Sequence, residues 1–86
     1  MASTEEIRAQ LVRAMEMLNE IAGKVGSAST QMIDVQGLIS MSFEGSGRSD
    51  FLEIIGRAGQ VMIELDDQLI TVMSLHDQIE RAAASL

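Results

Sequence analysis

Apolar residues along the first half of the chain advance by alternating steps of four and three. Ile7, Leu11, Ala14, Leu18, Ile21, Val25, Ala28, Met32, Val35 and Ile39 occupy these steps. That spacing is a heptad seam, the stripe by which one long helix packs on another. The second half repeats it through Phe51, Ile55, Ala58, Met62, Leu65, Leu69, Val72, His76, Ile79 and Ala83, with His76 as its one polar member. A two-residue strand period fits neither half. The pattern predicts two helices, roughly 4–41 and 48–84, in one domain spanning the chain.

Local signals mark the ends. Ser3-Thr4-Glu5-Glu6 has the form of a capping box, with Ser3 as cap and Glu6 three residues on. The segment from Ser42 to Asp50 holds the only cluster of Gly and Ser. Gly45 or Gly47 can adopt the left-handed conformation that ends a helix. Ser46, Ser49 or Asp50 can cap the next one. A turn this short makes the helices antiparallel neighbours, each on the order of 55 Å long. The expected fold is all-α: an antiparallel two-helix hairpin. Gly26, Gly56 and Gly59 each follow a seam residue, so they mark either close backbone approach or tolerated weak points.

The seam does not use up the apolar residues. Val12, Met15, Met17, Ile33 and Leu38 in the first helix lie off it, as do Ile54, Val61, Ile63, Ile70, Met73 and Leu75 in the second. Fully burying one large apolar side chain is worth roughly 1.5–3 kcal/mol, so leaving many in water is costly. A surplus of this kind marks an interface. These eleven residues are the candidate partner surface, and a second hairpin, identical or different, would complete a dimeric four-helix bundle.

Composition narrows the chemistry. The 86 residues include no Cys, Pro, Trp or Tyr, and one His. Without Cys there is no disulfide, thiol nucleophile or zinc–thiolate centre. The net charge of −7 argues against nucleic acid and anionic membrane surfaces. No apolar run reaches the length of a membrane span. No nucleotide-binding or calcium loop is present. Asp66-Asp67 reads as a solvated face, and the residue three before His76 is Met73, which breaks the di-iron Glu-x-x-His pattern. No catalytic, cofactor or metal site is expected, and the chain reads as a non-enzyme. Protonation of a seam histidine would place charge among apolar residues.

Phe43-Glu44-Gly45 lies between the helices, with Phe51 eight residues after Phe43. This arrangement resembles the WXG-hundred, or early-secretory-antigen-like, family of small type VII secretion proteins. Phe43 stands where the family has Trp, Gly45 matches its Gly, and Phe51 matches an aromatic that opens the second helix. His76 and Glu80 stand where the family's Tyr-x-x-x-Asp/Glu export signal is most nearly matched, with His in place of Tyr and inside the second helix rather than after it. The resemblance implies a small protein exported or co-exported without a cleaved signal peptide, and cytoplasmic before export. It would act as a homodimer or heterodimer with a related hairpin, or with the helical targeting domain of a larger secreted protein and a secretion ATPase. A cytoplasmic adaptor or chaperone masking a helical client, and a needle or filament subunit, share the same hairpin outline.

Overall fold

The structure is a computed structural model, and it describes residues 2–45 and 48–86. Two helices make up nearly all of it: α1, Thr4–Phe43, and α2, Asp50–Ala84. They pack antiparallel along their length into a rod of 65 × 18 × 14 Å. Arg8 Nη2 donates to the Leu86 carbonyl oxygen at 3.1 Å, tying the start of α1 to the end of the chain. The all-α hairpin is therefore the observed fold.

The caps explain the ends. Ser3 Oγ accepts from the Glu6 amide at 3.1 Å, and Glu6 Oε2 accepts from the Ser3 amide at 3.4 Å. This reciprocal pair satisfies two donors that the first helical turn leaves open. At its other end α1 runs through Phe43, two residues past the expected boundary. Gly45 has φ +71°, the left-handed conformation that glycine adopts without a Cβ penalty, and the helix stops there. Helix α2 begins at Asp50, with Ser49 at the cap position but making no side-chain cap bond. The expected caps at Ser46 and Gly47 lie outside the described residues.

The seam of α2 is the expected one. Phe51, Ile55, Met62, Leu65, Leu69, Val72, His76 and Ile79 are half-buried, and Ala58 and Ala83 are buried. Helix α1 differs from expectation. One column holds as expected: Leu11, Leu18, Val25, Met32 and Ile39 are half-buried. In the alternate column Ala14 and Ala28 are half-buried as expected, but Ile7, Ile21 and Val35 are exposed, and Met15, Ala22, Ser29, Gln36 and Phe43, one residue on, are half-buried throughout. Ile21 is instead 43% exposed and Val35 40% exposed. Both columns satisfy steps of four and three, so apolar spacing alone does not choose between them.

Phe43 supplies the choice. It continues the column of Ser29 and Gln36, and bringing its ring into the seam brings them too. Ser29 Oγ is thereby buried without a hydrogen-bond partner among the described residues, a cost of about 1–3 kcal/mol. An aromatic pair is worth about 0.5–1.5 kcal/mol beyond the area its rings bury, so area and pairing together offset that cost.

The interior glycines do not mark close approach within the hairpin. A Cβ at Gly23, Gly26, Gly37 or Gly56 would meet nothing within 4 Å, and at Gly59 it would meet only Gln36 Nε2, at 3.8 Å. Gly37→Ala should therefore raise stability by about 0.5–1 kcal/mol through helix propensity. Gly45→Ala should lower it by about 1 kcal/mol, because its φ is left-handed. Urea denaturation followed by circular dichroism checks the opposite signs.

Candidate partner interface

The turn is held by three side chains. The rings of Phe43 and Phe51 lie 5.4 Å apart between centroids, tilted by 36°. The Arg48 guanidinium sits 5.5 Å from the Phe43 ring centroid, within cation–π range. The same guanidinium grips Asp50 with both arms, Nε to Oδ1 at 3.1 Å and Nη2 to Oδ2 at 2.8 Å. An exposed pair contributes little by itself, but this one holds the cation beside the ring. The resemblance-based residues Phe43, Gly45 and Phe51 thus come together at one end of the rod. Arg48 was not singled out from the sequence, and its position between the two Phe is the signal that points to it.

The apolar surplus is distributed along the two flanks of the hairpin. Antiparallel packing sets the row Ile7, Ala14, Ile21, Ala28, Val35 of α1 beside the row Ile54, Val61, Gln68, Leu75, Ala82 of α2. No charged residue falls in either row. Ile7, Ile21, Val35, Val61 and Leu75 are exposed there, and Met17 and Leu38 lie in the next row outward on α1, which also carries Lys24. The opposite flank pairs Glu5, Val12, Asn19, Gly26, Ile33 with Leu52, Gly59, Asp66, Met73, Glu80. Its exposed Val12, Ile33, Leu52 and Met73 are interrupted by three acids, and Ile63 and Ile70 lie at its α2 edge. The approach of Gln36 to Gly59 is on this second side.

The eleven candidate interface residues therefore do not form one surface. Ile54, Val61 and Leu75 belong to the uncharged flank, with Met17 and Leu38 in the row beside it that carries Lys24. Val12, Ile33, Ile63, Ile70 and Met73 belong to the charged one. Met15 is half-buried in the seam, and Ile54 is half-buried as well. Sequence spacing missed Ile7, Ile21 and Val35 because it placed them inside.

Among the described residues only Ala58 and Ala83 are buried, and no large side chain is fully covered. A shallow, open groove is lined by Leu69, Ile70, Met73, Ser74, Asp77 and Arg81, all from α2. His76 and Glu80 face each other one turn apart, Nδ1 to Oε2 at 3.8 Å, and Asp77 Oδ1 lies 3.2 Å from the same nitrogen. A protonated His76 would meet these carboxylates and not a wholly apolar seam. Among the described residues, no helix is long and apolar enough to cross a membrane. Comparison with known proteins finds no matching family model, curated protein or solved structure.

Because Phe43 is half-buried, Phe43→Ala should cost about 2 kcal/mol, below the range for a fully buried ring. Arg48→Ala should cost about 0.5–1 kcal/mol, the scale of an exposed cation–π contact. Denaturant midpoints of the two variants check both magnitudes and their order.

Proposed function

We propose that this chain is a non-catalytic assembly module of the type VII secretion kind: a hairpin that pairs with a second hairpin, identical or related, and is exported with it. The single observation that carries the pairing is the uncharged flank. Two adjacent rows, one per helix and each stepping by seven residues, run along a rod with almost no buried core, and neither row holds a charge. A second hairpin laid there completes a four-helix bundle and buries Ile7, Ile21, Val35, Val61 and Leu75. It also keeps the acids of a chain with net charge −7 on the outer faces, which limits like-charge repulsion.

The secretion reading rests on the turn. An aromatic ring, a left-handed glycine and a second aromatic occupy the places where the resembling family has its Trp, Gly and following aromatic, and here the two rings meet in a tilted contact. The His76-x-x-x-Glu80 element lies within α2, so export through a partner's signal fits better than export on its own. A related hairpin or a larger substrate's helical domain would supply that signal, for a secretion ATPase to engage.

Sedimentation velocity tests the pairing. The wild-type chain, alone or with the product of a neighbouring gene, should sediment at twice the mass of one hairpin. Ile21→Asp and Val61→Asp should return it to one hairpin, and Ile70→Asp should not. A species with the mass of one hairpin under both conditions contradicts the pairing, and an open-ended series of masses points instead to a filament. Secretion from a type VII-competent host tests the second half. Retention in cells even with the neighbouring product co-expressed contradicts it and favours an adaptor that masks helical clients.

A further inference from the structure

We propose that His76, Asp77 and Glu80 form a binding site for a divalent first-row transition ion of the Zn²⁺ type. His76 Nδ1 lies 3.2 Å from Asp77 Oδ1 and 3.8 Å from Glu80 Oε2. One donor atom from each residue lies within 4.8 Å of both others. Metal–ligand bonds of about 2.0–2.2 Å place neighbouring ligands roughly 3–3.5 Å apart. Two separations are therefore already close to what one ion requires. The third closes by a swing of an exposed carboxylate.

The burial pattern suits the task. The His76 side chain is 15% exposed, so packing in the seam holds its ring. The carboxylates are 62% and 64% exposed and free to adjust. Glu80, four residues after His76, lies on its face of α2, and the Asp77 carboxylate reaches round from the next position to within 3.2 Å of the same nitrogen. An imidazole nitrogen with two carboxylate oxygens favours Zn²⁺, Co²⁺, Ni²⁺ or Cu²⁺ over Mg²⁺ and Ca²⁺, which prefer all-oxygen sites. The ion replaces any proton held between Nδ1 and Asp77, and that proton leaves to solvent. Three protein ligands leave at least one coordination position open toward water. Glu80 belongs to the charged flank, so the site lies clear of the uncharged flank and does not rest on the proposed pairing.

Calorimetric titration of the full chain with ZnCl₂ tests the site, with the ¹⁵N resonances of its only histidine as a second readout. One ion should bind per chain and shift the Nδ1 resonance. Asp77→Asn and Glu80→Gln, both at exposed positions, should weaken binding by roughly tenfold or more. Asp67→Asn removes the same charge elsewhere on α2 and should leave affinity unchanged. Equal weakening by all three variants, or a histidine resonance unmoved at saturating Zn²⁺, would show only diffuse attraction to an acidic chain and overturn the proposal.

Discussion

The contact between Phe43 and Phe51 sets the rotation of α1, and the rest of the surface follows from that rotation. The chain offers two columns of equal periodicity for the inner face of α1. One carries Ile7, Ala14, Ile21, Ala28 and Val35, and is apolar throughout. The other carries Met15, Ala22, Ser29 and Gln36, a poorer core by any transfer scale. The second is used because it ends in Phe43, whose ring reaches Phe51 across the turn. Arg48 over the ring and Gly45 in a left-handed conformation keep the reversal tight. The consequence is an exchange: a hydroxyl and an amide enter the seam, and three β-branched side chains turn outward.

That exchange makes sense in an assembly. In an isolated hairpin, moving Ile21 and Val35 toward water forfeits part of a burial worth roughly 1.5–3 kcal/mol per side chain. With a second hairpin on the flank, those side chains become core again. The turn and the flank are thus linked. The feature that carries the resemblance to secretion proteins is also the feature that exposes the uncharged flank. The opposite flank is chemically different, being broken by Glu5, Asp66 and Glu80, and near its far end lies the one constellation of metal-ligating type among the described residues.

Much of this was legible in the sequence. The two helices, the Ser3–Glu6 capping box, the turn and the whole α2 seam follow from spacing and turn chemistry. Of the α1 seam only the column from Leu11 to Ile39 followed, because periodicity of four and three is degenerate when both alternate columns contain small or apolar residues. Only the contact across the turn breaks the tie, and Phe43 makes it about 33 Å along α1 from Ile21, at about 1.5 Å per residue. The interface was half legible for the same reason. Off-seam apolar residues can be counted from spacing, but sorting them between two flanks requires the rotation of both helices and their antiparallel order. The grouping of His76 with Asp77 and Glu80 was hidden by reading His76 as a seam residue, although its neighbours one and four positions on were visible in the chain.

The most direct measurement is an isotope-filtered NOE experiment on the assembled species, mixing methyl-labelled chains with an unlabelled partner. Intermolecular NOEs are expected from the methyls of Ile21, Val35, Val61 and Leu75, with none from Ile63 and Ile70. Intermolecular NOEs from Ile63 and Ile70 instead, with Ile21 and Val35 contacting only their own α2, would contradict pairing through the uncharged flank.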